Sequence, residues 1–277
     1  MRRGCGAATI SPSRRSARIG RVSYYTWFAG RRRVGLVDPN RVNLWTRFLL
    51  NRIAINDHQH EHTVVSTLAL APQIGIAPVP DVVAPGLGGD PAQRAKFDAL
   101  LASSPVVAAG KPLVVLHPFP MFAYKQWRRD GWVELIGWLR SLGYAVALSG
   151  GPAQNERDYA EQVAREAGGD VLNLVGRLSF GENAELVRRA KLFVGPDTGA
   201  THVAAATTGT PVVALLGPSD PVRWGPWRKV GRVRATHGRW SARGGTRTCC
   251  CCCKGRGRAC RAGRKAASAM SRATAIV

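Results

Sequence analysis

A short segment in the second half of the chain carries residue types that bind phosphate. Asp197, Thr198, Gly199 and His202 follow an apolar run over residues 192–195. At such a position in an α/β fold, the glycine allows close approach of the backbone, and the first free N–H groups of the next helix point at an anion. The carboxylate adds a hydrogen-bond acceptor and the imidazole a titratable donor. The combination predicts a site for a nucleotide-diphosphate sugar rather than for bare phosphate.

Three further segments place candidate residues directly after predicted strands. Lys125 could pair with a diphosphate as a point charge. Glu156 lies in the first turn of a predicted helix behind Gly150 and Gly151, and the turn over residues 176–179 could hold the flat face of a base. Simpler readings stay open, because a lysine is usually a solvated surface residue and a glutamate in a first turn often only complements the helix dipole.

Regular alternation of apolar runs and helical patterns positions these segments. The predicted strands are 113–116, 144–148, 171–175, 192–194 and 212–216, and the predicted helices are 91–101, 131–142, 154–167, 182–190 and 201–206. Strands and helices that alternate in this way predict an α/β fold with a doubly wound parallel sheet. Ligands bind beyond the carboxyl ends of such strands, where all four segments fall.

The net charge of the chain lies in its two ends. The formal net charge is +23, yet residues 34–227 hold seventeen basic and seventeen acidic residues. Residues 1–33 hold nine arginines, residues 228–277 hold fourteen basic residues, and neither end has an acid. Basic ends can hold a protein near anionic lipid or nucleic acid. Their low-complexity composition instead favours disorder, which is our prediction for both ends.

Cysteine usage and hydropathy exclude several protein classes. All seven cysteines lie in the basic ends, five of them in the run Cys249–Cys253. Five adjacent thiols cannot ligate one metal in sensible geometry, and a core without cysteine fits a reducing cytoplasm. The sequence contains no run of about 18 apolar residues, so no transmembrane helix is predicted.

The motifs together resemble a known family. Lys125-x-Trp127, Gly150-Gly151 with Glu156, and Gly195-Pro196-Asp197-Thr198-Gly199-x-x-His202 are similar, in order and spacing, to the C-terminal half of glycosyltransferase family 9. Gly217-Pro218-Ser219-Asp220-Pro221 and Gly225-Pro226-Trp227 extend the likeness. These are the heptosyltransferases of lipopolysaccharide inner-core assembly, with the GT-B fold. The resemblance is strong over 113–227 and looser over 30–35 and 56–76.

The resemblance implies an inverting, metal-independent transfer of heptose from ADP-heptose to a lipid A–Kdo or heptose acceptor. No cofactor is implied. Lys125 would take the catalytic role of neutralising the leaving diphosphate, and Asp197, Thr198, Gly199 and His202 would hold the diphosphate and sugar. Glu156 would bind the ribose or nucleotide end, and Leu178 would contact the adenine. The implied partners are the donor and the lipopolysaccharide core, and the implied location is the cytoplasm, peripheral to the inner face of the plasma membrane, with no specific nucleic acid.

The chain departs from the family pattern in its first part. The family's opening strand and Gly-Asp loop, whose Asp is the proposed general base, have no match here. We therefore expect an N-terminally truncated chain: a basic segment over 1–33, a partial acceptor-side domain and linker over 34–105, a complete donor-binding domain over 106–227, and an atypical basic, Cys-rich tail over 228–277. General acid–base help is typically worth about 10²–10⁴-fold. A non-catalytic nucleotide-binding remnant is consequently the alternative function.

Two further departures bear on binding. Phe119, Pro120, Met121 and Phe122 stand where the family has small or hydroxyl residues, which puts donor affinity or identity in question because proline lacks an N–H. The cluster His58, His60, Glu61 and His62 invites a metal hypothesis, but polar acceptor contacts are the simpler account, and no metal site is predicted. A basic nucleic-acid-binding protein is a third possibility, which the neutral middle of the chain disfavours.

Overall fold

The computed structural model describes residues 31–57, 60–81, 91–206, 210–227 and 233–236. The chain divides into two compact units, Met1–Pro80 and Asp81–Val277. Within the described part of the chain, no helix is both long and apolar enough to cross a membrane.

The first unit contains a short β-α-β arrangement. Strands β1 (Val34–Val37) and β2 (Arg52–Ile55) pair in parallel, with Val34 opposite Arg52. Helix α1 (Leu44–Leu49) connects them and begins at a capping box formed by Asn43 and Thr46. Helix α2 (Thr63–Leu68) follows, and two 3₁₀ turns lie at Pro39–Arg41 and Pro72–Ile74. Two parallel strands need a crossover connection, which α1 provides between β1 and β2.

The second unit is built on a six-stranded parallel sheet. Its strands are β3 (Leu113–Leu116), β4 (Ala145–Leu148), β5 (Leu172–Asn173), β6 (Leu192–Pro196), β7 (Val212–Leu215) and β8 (Val233–Thr236). Their order across the sheet is β5-β4-β3-β6-β7-β8. This is the doubly wound order 3-2-1-4-5-6, in which the winding reverses between the first and fourth strands, here β3 and β6.

Helices cover both faces of this sheet. They are α3 (Pro91–Ala102), α4 (Pro105–Ala108), α5 (Arg129–Ser141), α6 (Gln154–Glu166), α7 (Phe180–Arg189), α8 (Gly199–Ala206) and α9 (Pro221–Trp224). Alternate strand residues face opposite sides, so two cores form. Val115 belongs to the core that includes Phe97 and Leu186, and Val114 to the core that includes Trp132 and Val163.

The structure confirms the predicted α/β fold, with five strands and five helices within a few residues of the predicted bounds. It also corrects one prediction and adds elements. Strand β8 lies within 228–277, where we predicted disorder, and that prediction is corrected for these four residues because they pair in parallel with β7. Strands β1 and β2 and the short helix α4 are additions. The cysteine run and residues 1–30 lie outside the described residues.

Candidate functional site

Two loops start side by side at the point where the sheet reverses its winding. Strands β3 and β6 are neighbours, with Leu116 opposite Val194. The backbone N–H of His117 donates to the carbonyl of Val194 at 2.9 Å, which continues the pairing one residue beyond β3. The loop that carries Lys125 and the loop that carries Asp197 therefore leave the same edge of the sheet. This crevice is where doubly wound folds bind ligands.

The centre of the site is the carboxylate of Asp197, which is 7% exposed. The ammonium of Lys125 donates to its Oδ2 atom at 2.6 Å, and the hydroxyl of Ser219 donates to the same oxygen. The Nε2 atom of His202 lies 3.4 Å from Oδ1. Four side chains thus meet, from the three segments that follow β3, β6 and β7. Asp197 fixes the positions of a cation and an imidazole at the carboxyl edge of the sheet.

These contacts set the protonation state of Asp197. Burial alone would raise its pKa, because a low-dielectric environment disfavours the charge. The hydrogen bonds from His202, Lys125 and Ser219, with the charge of Lys125, outweigh burial and hold the pKa of Asp197 well below its usual range. The carboxylate is therefore ionised at neutral pH, and Lys125 is held beside it as a cation.

Helix α8 begins directly beside this cluster. The carbonyl of Thr198 accepts from the N–H groups of Thr201 at 3.0 Å and His202 at 3.3 Å. The buried hydroxyl of Thr201 donates to the carbonyl of Pro196 at 2.6 Å and so fastens the helix to the end of β6. A Cβ atom built on Gly199 would have no atom within 4 Å, so the space at the helix start is open. The free N–H groups of a first turn, with the helix dipole, favour an anion there.

A buried imidazole joins the loops after β3 and β4. His117 lies with its Nδ1 atom 3.1 Å from the hydroxyl of Ser149, and its ring stacks on Phe193 with 6.4 Å between centroids. Burial lowers the pKa of His117 to about 4, against a smaller opposing effect of a backbone hydrogen bond with Phe119. His117 is therefore neutral at pH 7.

Glu156 holds the glycine loop after β4. Its Oε2 atom accepts from the N–H of Gly151 at 2.6 Å. A Cβ atom on Gly151 would lie 3.0 Å from Oε1, and one on Gly150 would lie 2.9 Å from Val175, so the loop is closely packed. In the turn that follows β5, Leu178 is partly buried and packs against the core that contains Leu174. Glu156 and Leu178 thus lie at the ends of β4 and β5, one and two strands from β3.

The loop after His117 presents aromatic rings. Phe119 packs edge-on against Tyr159 with 5.7 Å between centroids. Phe122 and Tyr124 stack on each other at 5.6 Å, and the ammonium of Lys125 lies 5.9 Å from each of these two rings. The aromatic residues Phe122 and Tyr124 of this loop therefore border Lys125.

The structure brings together only some of the residues singled out in the sequence. Lys125, Asp197 and His202 form one cluster, with Thr198 and Gly199 next to it in the chain. Ser219 is part of a motif in the sequence, but no role was predicted for it. Its position after β7, the strand next to β6, could have indicated that it lies near Asp197. His117 and Ser149 also had no predicted role, although each directly follows a predicted strand.

The two described histidines of the first unit, His60 and His62, have local partners. The Nδ1 atom of His60 lies 2.9 Å from Oδ2 of Asp57, and His62 caps α2 by accepting from the N–H of Val64 at 3.1 Å. His58 lies outside the described residues. Among those that are described, no three His, Cys, Asp or Glu side chains are grouped so that they could hold a metal ion.

A doubly wound parallel sheet with a cation, an ionised carboxylate and a helix start at its switch point defines an α/β protein with a crevice suited to an anion. The family model of glycosyltransferase family 9 (heptosyltransferase) matches residues 21–248. The chain belongs to this family, as the sequence motifs predicted.

Individual relatives are more distant. The chain is 35% identical over 115 residues to lipopolysaccharide heptosyltransferase 3 of Escherichia coli K12, a match covering 41% of this chain and 33% of that protein. It is 29% identical over 180 residues to lipooligosaccharide heptosyltransferase 2 of Haemophilus influenzae, covering 62% of this chain and 51% of that protein. The chain therefore spans between about a third and a half of the curated relatives it matches.

Solved structures confirm the GT-B type of α/β fold. The family 9 glycosyl transferase of Veillonella parvula matches with a TM-score of 0.60 at 18% identity, over 79% of this chain and 60% of that one. The ADP-heptose LPS heptosyltransferase II of E. coli matches with a TM-score of 0.56 at 24% identity, over 78% of this chain and 65% of that one.

Proposed function

We propose that this chain binds ADP-heptose in its second unit and transfers the heptose, with inversion, to the lipopolysaccharide inner core, a lipid A–Kdo or heptose acceptor. The observation that carries the proposal is the cluster of Lys125, His202 and Ser219 around Asp197 at the switch point of the sheet. Family membership supports the same reaction class. On the basis of the proposed acceptor, we further propose a location in the cytoplasm, peripheral to the inner face of the plasma membrane.

The cluster supplies positive charge where the leaving group needs it. As the glycosidic bond breaks, negative charge grows on the diphosphate of ADP. An ammonium has three N–H donors, so Lys125 can keep its bond to Asp197 and still donate to a phosphate oxygen. The N–H groups at the start of α8, with Thr198 and Gly199, would hold the diphosphate, and His202 would donate to the diphosphate or the sugar.

This arrangement accounts for a reaction that needs no metal. Preorganised donors and cations stabilise developing charge in a site with few mobile waters. Lys125 is 18% exposed and is fixed by an ionised partner, so its charge is in place before the donor binds. We therefore propose that Lys125 and the helix start take the role that a divalent cation has in other nucleotide-sugar enzymes, and that no cofactor is required.

The nucleotide end would lie over the neighbouring strand ends. Glu156 uses one carboxylate oxygen to hold Gly151, which leaves Oε1 as an acceptor for the ribose hydroxyls. Leu178 is partly buried against the core and would offer an apolar contact to the adenine. The ends of β6 and β3 would then hold the sugar and the diphosphate, the end of β4 the ribose, and the end of β5 the base.

One observation favours a second candidate, nucleotide binding without transfer. Deprotonation of the acceptor needs a carboxylate that is available to act as a base. In the described part of the first unit, Asp38 caps a 3₁₀ turn, Asp57 pairs with His60, and Glu61 accepts from the hydroxyl of Ser66. All of these carboxylates therefore have local structural roles.

A pair of measurements on one preparation separates the two candidates. ADP at one hundred times its dissociation constant should raise the free energy of unfolding by about 2.7 kcal/mol, and should do so in excess EDTA. Mass spectrometry of an inner-core acceptor incubated with ADP-heptose should then show addition of one heptose. Stabilisation without addition establishes the second candidate. Absence of stabilisation contradicts both.

A further inference from the structure

A cleft of about 990 Å³ lies beside the Lys125 loop, between residues 119–129 and helix α6. Tyr124 and Gln126 line it, whereas Lys125 between them turns to Asp197. Its volume is at the upper end of the range found for small-molecule sites, about 300–1,000 Å³. None of the roles proposed above uses this space.

Aromatic rings form much of the lining. Tyr124 is 56% exposed, and Trp127 is held by an edge-on contact with Trp132 at 5.0 Å between centroids. Phe119 and Tyr159 contact each other in the same edge-on manner, and Tyr124 stacks on Phe122, so each of the four lining rings contacts another ring. Rings fixed in this way offer flat apolar faces at a low entropic cost.

Neutral polar groups lie between these rings. Gln126 lines the cleft, and its amide nitrogen is buried and has no hydrogen-bond partner within the described residues. Asn155 lies in the first turn of α6, and Asp158 one turn later accepts from Gln154 at 2.7 Å and has a second oxygen available. Two amides and a carboxylate can both donate to and accept from hydroxyl groups.

The two arginines of the cleft are already neutralised. Arg128 bonds Asp130 at 2.5 Å and Glu134 at 2.7 Å. Arg129 contacts Glu166 at 3.1 Å and the amide oxygen of Gln162 at 3.0 Å. Three carboxylates balance the charge of the two arginines, so the cleft has no excess positive charge to attract an anion. Its chemistry fits a ligand that is neutral and rich in hydroxyls.

We propose that this cleft is a saccharide-binding subsite. Sugar rings present an apolar C–H face that packs on Tyr124 and Trp127, and hydroxyls that bond Gln126, Asn155 and Asp158. Because Tyr124 adjoins Lys125, a saccharide here lies next to the diphosphate site, and the subsite holds part of the acceptor oligosaccharide. That last assignment rests on the proposed function, whereas saccharide binding itself does not.

The test uses the full chain and a defined probe, the core oligosaccharide of lipopolysaccharide freed of lipid A. Its dissociation constant is measured by calorimetry for the wild type and for Tyr124→Ala and Asn155→Ala, both changes at exposed side chains. Phe180→Ala, an exposed ring at the start of α7, is the matched control. Loss of one stacked ring should weaken binding about tenfold.

Each outcome decides the proposal. Weaker binding in Tyr124→Ala and Asn155→Ala, with Phe180→Ala unchanged, supports the subsite. Binding that is as tight in Tyr124→Ala and Asn155→Ala as in the wild type locates the saccharide elsewhere and overturns it. No binding of the oligosaccharide at millimolar concentration also overturns it. ADP binding, measured on the same proteins, shows separately whether the proposed function stands.

Discussion

Replacement of Lys125 by methionine should destabilise the second unit as well as alter its chemistry. The ammonium and the carboxylate of Asp197 are 2.6 Å apart, with only 18% and 6% of their side chains exposed. Removal of one partner from a buried ion pair costs about 3–5 kcal/mol, because the other charge is left uncompensated. His202 and Ser219 still contact Asp197, so we expect a smaller loss than this range, about 2–3 kcal/mol in the free energy of unfolding.

Urea denaturation measures this change, with Lys111→Met as the matched control. Lys111 is an exposed lysine shortly before β3, and its replacement should stay within about 0.5 kcal/mol. In a double-mutant cycle with Asp197→Asn, the two changes should be coupled by at least about 1 kcal/mol. Equal effects of Lys125→Met and Lys111→Met, or strict additivity in the cycle, would refute the reasoning.

The ion pair also predicts a dependence on pH. A carboxylate whose pKa is lowered in the folded state contributes stability that is present above its ordinary pKa, near 4, and is lost as the pH falls through the acid range. Without Lys125 the pKa of Asp197 should move back toward its ordinary value. The variant should therefore lose less stability than the wild type between pH 5 and pH 2.5. A loss as large as that of the wild type contradicts this.

Three further predictions concern the neighbouring strand ends. Because the pKa of His117 is lowered to about 4, its contribution to the free energy of unfolding should be fully present above pH 6.5 and should fall by roughly 2–3 kcal/mol by pH 4.5. His117→Gln should remove most of this pH dependence, as measured by denaturation at both pH values. Gly195→Ala should lower the free energy of unfolding by about 1–3 kcal/mol, because its Cβ atom would lie 2.7 Å from the buried hydroxyl of Thr201. Gly199→Ala should leave stability intact but weaken ADP binding roughly tenfold, since its Cβ atom would occupy the open space before α8. Equal thermal stabilities for the two alanine variants would contradict this. Glu156→Ala should weaken binding of ADP but not of pyrophosphate in calorimetry, and equal losses for both ligands would argue against a ribose contact.

The sequence was sufficient for most of the sheet of the second unit. Buried parallel strands appear as continuous apolar runs, and Leu113–Leu116 and Val212–Leu215 were predicted to within one residue for that reason. Strand β8 was missed because its four residues include Arg234 and Thr236 and are surrounded by basic residues, so no apolar run marks them. Its pairing with β7 depends on the tertiary structure and not on local composition.

The candidate site was predictable in its residue types and less so in its contacts. Strand ends identified Lys125, Asp197 and His202, because parallel topology brings successive carboxyl ends to one edge. The pairing of Lys125 with Asp197, and the contribution of Ser219 from the next strand end, depend on side-chain geometry over 72 and 22 residues of sequence separation. Spacing alone carries no information on contacts at that range.

The most direct test of the account is calorimetric titration of ADP into the full chain in excess EDTA. The account predicts one site, with affinity at least about tenfold weaker in Lys125→Met and unchanged in Lys111→Met, because one ammonium–phosphate contact is lost. Absence of ADP binding by the wild type, or equal affinity of Lys125→Met and the wild type, would contradict the claim that the crevice between β3 and β6 holds a nucleotide diphosphate.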